Sequence, residues 1–360
     1  MRLCFLATIF LLLNASLAAT PVCYVIQISV DGLGSSYLKA LNDANSVPNF
    51  SRLMTEGTWT LNARDDYSST VTLPNHVTMI TSRSVEGVTG HNWTSNSNPA
   101  PGETIHGNKG SYVASVFDVA HDNGLRTGLY AGKGKFSLFD ASYNADQGAA
   151  DGNGTDFGRD KLDTYVCNGN SSTLTSSFLS SMSTSPFNYS FVHFTDGDSH
   201  GHATGWGSTY YNDAIKTIDG YLGSILNLVE TNETLRGKTA IILTADHGGT
   251  GYDHSGATNA LNYTIPFMVW GPPVLAGSDL YSLNMGTRLD PGTGRPAYGG
   301  SPQPIRNGDG ANLALELLGL EAIPDSGINP LQDLEIPEPA TLFLLALGGL
   351  AVLRRRRELL

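Results

Sequence analysis

The stretch TAIILTADHGGTGYDH (residues 239–254) carries an apolar run straight into Asp246 and His247, two glycines, and then Asp253 and His254. A short run of β-branched and aliphatic residues with no polar face reads as a strand buried on both sides, the pattern of a parallel sheet covered by helices. Asp246 and His247 then stand at the carboxyl end of that strand, and Gly248 and Gly249 permit the tight turn that presents them on different faces. In open parallel sheets such strand ends converge on one crevice, where ligands bind.

Working outward, two further runs end the same way. YVIQISV (24–30) leads into Asp31, and NYSFVHFT (188–195) leads into DGDSHGH, with Asp196, Asp198, His200 and His202. RTGLYAG (126–132) is a fourth strand, followed by Lys133 and Lys135. Between them lie helical segments at 48–57, where Pro48 takes the first position and Gly57 follows the end, and at 74–82, 111–124 and 208–230. The alternation predicts an α/β domain with a mainly parallel sheet and helices on both faces. Residues 140–175 and 274–310, rich in Gly, Asn, Asp, Ser and Pro, read as long surface loops within one body. DGNGTDFGRD (151–160) lacks the terminal glutamate of a calcium loop, since Leu162 holds the twelfth position.

Acids at three converging strand ends would repel unless cations lay between them. Two of the three come with histidine, and carboxylate oxygen with imidazole nitrogen is a donor set that zinc accepts, so a binuclear metal site is expected. Asp198 and His202 are four apart, so one helical turn points both at one ion. Thr72, just ahead of Pro74, would stand at a helix N-terminus, where free amides favour an anion; facing a metal pair it becomes a candidate nucleophile, with Ser69 or Thr70 next in line. Lys133 and Lys135, one residue apart on extended chain, would share a face and could grip a phosphate or carboxylate. His76 is expected to support the nucleophile's turn, His106 and His121 to lie at the surface, and His193 to pack inside its strand. His200 competes with His202 for the metal.

Both ends read as processing signals. Residues 1–19 have Arg2, an apolar run and small residues before a cleavage point near Ala18 or Ala19, as in a secretory signal peptide. Ala340 to Leu353 is apolar but shorter than the roughly 20 residues a membrane span needs, and four arginines follow. Residues 337–357 resemble a PEP-CTERM sorting signal of Gram-negative bacteria, which implies export, transient anchoring at the inner membrane and processing by a sorting machinery; an ordinary tail anchor is the other reading. The domains are then 1–19, 20–335 and 336–360. Without the ends the body loses five of 21 basic residues and two of 33 acids, leaving it near −15. That charge excludes nucleic acid as a bulk partner but not phosphate chemistry, because bound divalent ions invert the local sign. Cys23 and Cys167 remain, either as a disulfide or as a buried free pair.

In order, VDGLG (30–34), TLPNH (72–76), GVTGHN (87–92), DGDSHGH (196–202) and TADHGG (244–249) resemble the alkaline phosphatase superfamily, particularly its nucleotide pyrophosphatase/phosphodiesterase branch, over about residues 22–272. The resemblance implies a three-layer α/β/α sandwich and two zinc ions. Asp31, Thr72, Asp246 and His247 would hold one, and Asp198, His202 and a third histidine the other. That histidine usually lies far downstream, yet no histidine follows His254 here. Either His254 completes the site or the site is incomplete, with Asp253, a water or Asp309 in its place. Asn92 matches the family asparagine that donates to a phosphoryl oxygen, with His91 leaving the register open by one. The implied activity is hydrolysis of a small-molecule phosphate ester through a covalent phospho-threonine. The alternatives are a phosphonoacetate-hydrolase-like enzyme, suggested by Lys133 and Lys135, a sulfatase-like enzyme, or a non-catalytic surface-matrix protein on this fold. A sulfatase would need cysteine or serine where Thr72 stands.

Overall fold

Eight strands form a single sheet in a computed structural model that describes residues 21–146, 160–272 and 274–336. The signal peptide, residues 151–159 of the calcium-like loop and the sorting segment from residue 337 lie outside the described residues, and with them the expected membrane anchor. Among the described residues no helix is long and apolar enough to cross a membrane.

The strands are β1 (Tyr24–Val30), β2 (Thr58–Arg64), β3 (Thr127–Ala131), β4 (Thr164–Cys167), β5 (Tyr189–Phe194), β6 (Thr239–Thr244), β7 (Thr264–Trp270) and β8 (Ser278–Asp279). Their order is β4-β3-β5-β1-β6-β7-β2-β8. β7 pairs antiparallel with both β6 and β2, and every other pairing is parallel. β3, β5 and β6 are buried at every residue, as their unbroken apolar runs require when helices cover both faces. The long helix Thr209–Thr231 packs with Pro48–Glu56 and Ser171–Thr184, while Asp309–Leu317 packs with Thr72–Thr81 and Val116–Asp122 and touches β1 and β6. This is the expected three-layer α/β/α sandwich.

Local chemistry sets where the elements begin. Helix Pro48–Glu56 is preceded by Val47, which offers no capping oxygen. Asp219 of the long helix caps it instead, accepting from the amides of Asn49 (2.9 Å) and Phe50 (2.8 Å). The segment expected to be helical over 111–124 is helical only over Val116–Asp122, because Ser115 and Asp118 form a reciprocal capping box that starts the helix there.

Four other expectations are corrected. The stretch 140–175 is not one long loop: it includes the end of helix Ser137–Tyr143, strand β4 and the start of helix Ser171–Thr184. The stretch 274–310 likewise includes β8, helix Leu280–Leu283 and the start of Asp309–Leu317. Cys23 and Cys167 are both exposed and free, neither bonded nor buried. Cys23 precedes β1 while Cys167 ends β4, so parallel strands with β5 and β3 between them hold the thiols at opposite ends of the sheet. His106 is buried, its ring between the amide of Val113, which donates to Nδ1 (3.0 Å), and the carbonyl of Ser142 (2.9 Å from Nε2).

Glu316, half-buried on the last turn of helix Asp309–Leu317, is pushed up to about 8 by burial and by the charges of Glu335 and Asp333. The folded chain therefore keeps a proton that the unfolded chain gives up near 4.5. Stability linked to this group is full below pH 4.5 and declines as pH rises through about 8. Glu316→Gln should flatten that decline and stabilise the protein at pH 9 by roughly 1–3 kcal/mol, with little change at pH 4.5. Denaturant unfolding of both proteins at the two pH values checks this; equal stabilities at pH 9 refute it.

Candidate metal centre and nucleophile

Four neighbouring parallel strands deliver the charged groups to one edge of the sheet. In spatial order β3 is followed by Lys133, β5 by Asp198, β1 by Asp31, and β6 by Asp246 and His247. Asp198 and His202 share the helix Asp196–Thr204, four residues apart as expected. His254 returns to them through a turn in which Thr250 and Asp253 exchange backbone hydrogen bonds of 3.0 and 3.2 Å. The result is two groups whose ligating atoms each lie within 4.8 Å of one another: Asp31, Asp246 and His247, and Asp198, His202 and His254. His200 is exposed and belongs to neither group.

Each of the three carboxylates is divided in the same way. Asp31 Oδ2 is engaged by His193 Nε2 (2.9 Å) and Lys133 Nζ (2.6 Å), Asp198 Oδ2 by Lys133 Nζ (2.6 Å), and Asp246 Oδ1 by the amide of Gly32 (3.1 Å). The second oxygens, Asp31 Oδ1, Asp198 Oδ1 and Asp246 Oδ2, are buried without a hydrogen-bond partner. These same atoms face the histidines: Asp246 Oδ2 is 3.1 Å and Asp31 Oδ1 3.5 Å from His247 Nε2, and Asp198 Oδ1 is 3.4 Å from His202 Nε2 and 3.5 Å from His254 Nε2.

The histidines are oriented to match. Nδ1 of His247 meets the carbonyl of Gly248 (2.7 Å), that of His202 the carbonyl of Tyr252 (2.9 Å), and that of His254 the carbonyl of Thr70 (2.6 Å). A carbonyl only accepts, so Nδ1 carries a proton in all three rings, and Nε2 presents a lone pair whenever the ring is neutral. His202 Nε2 and His254 Nε2 lie 3.1 Å apart. Two lone pairs at that distance repel, as the three orphaned carboxylate oxygens do, and a divalent cation satisfies both sets at once. The residues therefore fit two ions. The field is strongly negative: burial opposes a charge on His247, yet Asp246, Asp31 and Asp198 raise it to about 10. His254, by contrast, is lowered to about 3 by burial and by His247, whose ring stacks on it at 3.6 Å.

Thr72 opens the helix Thr72–Thr81, and its Oγ1 lies 3.4 Å from His247 Nε2, between the strand ends and the helix N-terminus. His76 braces this turn as expected: its Nδ1 donates to the carbonyl of Thr72 (2.8 Å), and its Nε2 accepts from Ser29 Oγ (2.8 Å). His193 packs inside β5 as expected, and also orients Asp31. The amide of Gly132 donates to its Nδ1 (3.1 Å), which puts the ring proton on Nε2, aimed at the carboxylate.

The structure does not bring Asn92 to Thr72. Asn92 is exposed with φ 60°, and with its amide turned so that the nitrogen faces Gly87 it donates to that carbonyl and accepts from Lys109 Nζ. Asn96, four residues on, stands beside Thr72 instead: its Oδ1 accepts from the amide of Leu73 at 2.9 Å. The two lysines diverge as well. The backbone coils into a single 3-10 turn at Gly134–Phe136 instead of staying extended, so Lys133 turns to Asp31 and Asp198 while Lys135 donates to the backbone and side-chain oxygens of Asn96 (2.7 and 2.9 Å). Sequence reasoning also passed over Trp206. Its ring stands 5.2 Å from His202 and 5.8 Å from His254, and its Nε1 donates to the carbonyl of Gly32 at 2.8 Å. The signal for it was Gly201 and Gly249, where a Cβ would come within 2.5 and 2.1 Å of the indole.

With this geometry in place, comparisons identify the relatives. The sequence profile of the family described as type I phosphodiesterase / nucleotide pyrophosphatase matches residues 25–267, and that of the PEP-CTERM protein-sorting motif matches residues 335–357. A GPI ethanolamine phosphate transferase 1 from Mus musculus is 36% identical over 81 residues, which are 22% of this chain and only 9% of that protein's length. Among solved structures, murine ectonucleotide pyrophosphatase / phosphodiesterase 5, as an inactive variant in complex with AMP, superposes with a TM-score of 0.57 at 14% identity, covering 84% of this chain and 96% of that one. An alkaline phosphatase superfamily protein from Vibrio parahaemolyticus gives 0.55 at 16% identity, covering 87% and 70%. A 2-O glycosaminoglycan sulfatase also gives 0.55, at 12% identity over 85% and 72%. At such identities the structures share the fold.

The packing around Trp206 yields a direct test. Gly249→Ala drives a methyl into the indole and should destabilise the protein by about 1–3 kcal/mol, the usual cost of overpacking. Gly286→Ala, where a Cβ meets nothing within 4 Å, should cost little by comparison. Thermal unfolding of the two variants distinguishes them, and equal melting temperatures would remove Trp206 as the support of His202 and His254.

Proposed function

The chain belongs to the type I phosphodiesterase / nucleotide pyrophosphatase family, and from that footing we propose an exported two-metal phosphoesterase with Thr72 as its nucleophile, acting on a phosphodiester, nucleotide or phosphomonoester. The observation that carries the reading is the position of Thr72 Oγ1 at a helix N-terminus, 3.4 Å from His247 and beside the two sets of ligating atoms. The sorting motif supports export from a Gram-negative cell, to the periplasm, outer membrane or matrix.

In this mechanism Asp31, Asp246, His247 and Thr72 would hold one ion and Asp198, His202 and His254 the other, with zinc the ion that suits these donors. When bound, such ions would supply Lewis acidity to the phosphoryl transfer. Thr72 Oγ1 attacks phosphorus in line, the bond to the leaving oxygen breaks, and water then cleaves the phospho-threonine to return the free hydroxyl. At the helix N-terminus the amide of Leu73 is taken by Asn96 and Pro74 has none, so the amide of Thr72 is the donor for a phosphoryl oxygen. Asn96, rather than Asn92, is the side chain placed to fix that corner, and Lys135 beside it supplies the positive charge for a substrate oxygen.

A sulfatase-like activity is disfavoured because Thr72 stands at the nucleophile's position, and a purely structural role leaves the matched ligand sets without a purpose. Turnover of bis(p-nitrophenyl) phosphate, p-nitrophenyl phosphate and p-nitrophenyl sulfate separates these readings, with phosphate esters cleaved and the sulfate inert. Thr72→Ala should remove at least 99% of phosphatase turnover, on the order of the loss when a nucleophile is deleted, while two ions per chain remain by elemental analysis. Substantial residual turnover would shift the role to Ser69 or Thr70. His254→Ala should release one ion selectively, and added zinc should restore part of the rate by mass action; unchanged zinc content would remove His254 from the site.

A further inference from the structure

We infer that Lys133 is a positioning residue shared by both ion sites, one that aims a carboxylate of each group and leaves substrate contact to Lys135. The inference rests on the two-ion reading and concerns how the ligands of those ions are held. The Lys133 ammonium lies 2.6 Å from Asp31 Oδ2 and 2.6 Å from Asp198 Oδ2, with its side chain only 19% exposed. These two acids come from different strands and different ligand groups. His247 Nε2 also faces both acids, at 3.5 Å from Asp31 Oδ1 and 4.0 Å from Asp198 Oδ1, but among the described residues Lys133 alone lies within hydrogen-bond distance of a carboxylate oxygen of each.

The consequence lies in which oxygens are left. Charge-assisted hydrogen bonds of this length are strong, and they commit Oδ2 of each carboxylate to the protein. Asp31 Oδ1 and Asp198 Oδ1, the oxygens facing His247, His202 and His254, remain without hydrogen-bond partners. Turning either carboxylate so that both its oxygens face an ion would break its bond to Lys133. One ammonium thereby favours single-oxygen ligation at both sites and fixes the spacing between two ligands that the backbone places on separate strands. A phosphate oxygen could reach Lys133 only by displacing one of these bonds. Among the described residues Lys135 donates to the neutral oxygens of Asn96 alone and keeps charge to offer.

The test measures ion binding, not turnover, on the mature full-length protein. Lys133→Met keeps the length of the stem and removes the donors; Lys135→Met is the control. Zinc affinities come from competition with a chromogenic chelator, and stoichiometry from elemental analysis. Loss of an outer partner of a ligating carboxylate typically costs 10- to 100-fold in metal affinity, so Lys133→Met should weaken both ions by about that factor, and Lys135→Met neither. Lys133→Arg, which can still bridge two carboxylates, should recover part of the loss at both sites and keeps the test informative if the methionine variant folds poorly. With cobalt in place of zinc, the visible absorption of Lys133→Met should also change, as expected for altered carboxylate ligation. Wild-type affinity at both sites in Lys133→Met, or tighter binding, overturns the inference: the ammonium would then act only as a like charge near the ions. Weakening at one site alone would equally refute the shared role. If wild-type protein binds no ions at all, it is the two-ion reading that fails, and the two failures are distinguishable.

Discussion

Three carboxylates buried at the ends of adjacent strands are the constraint around which this molecule is arranged. Asp31 and Asp246 have no exposed surface and Asp198 almost none. Removing one such charge from water costs several kcal/mol even after relaxation, so each needs a partner held in good geometry. The surroundings of the site follow from that need. Gly32 turns its amide to Asp246, His193 its Nε2 to Asp31, and Lys133 bridges the remaining pair, while three histidines give their Nδ1 protons to backbone carbonyls and keep Nε2 for the centre. The parallel sheet supplies the convergence, since strands running in one direction bring every carboxyl end to one side.

How legible this was depended on range. Strands β1, β5 and β6 could be read because burial on both faces removes alternation and leaves an apolar run with an acid behind it. The pairing of Asp198 with His202 could be read because helical spacing is local. His254 was legible as a candidate only because glycines permit the turn at 250–253, while the contact that fixes its ring, the carbonyl of Thr70, lies 184 residues away in the chain. Asn96 was missed for the same reason: nothing near residue 96 indicates that its side chain will meet the amide of Leu73. The lysines were misjudged by one turn of backbone, where an extended reading puts both on one face and a 3-10 turn separates them. The two stretches read as loops show the limit of composition, because β4 and β8 are short edge strands whose pairing partners, not their residues, make them strands.

The similarity to proteins of known structure extends over most of the chain at identities of 12–16%. At such identities what is shared is the fold. The stretch from Trp93 to Asn108, which carries Asn96 to the amide of Leu73, borders a cavity of about 430 Å³.

Helix Thr72–Thr81 is buried at all ten of its residues. A helix with no wet side has no stripe on which substitutions are free, and it cannot swing outward without exposing apolar surface all round its circumference. Thr72 is therefore carried on an immobile post rather than on a lid. Its amides should be among the slowest in the molecule to exchange with solvent, opening only when the sandwich itself opens. Any change in what reaches Thr72 would have to work around that post, by moving what approaches it.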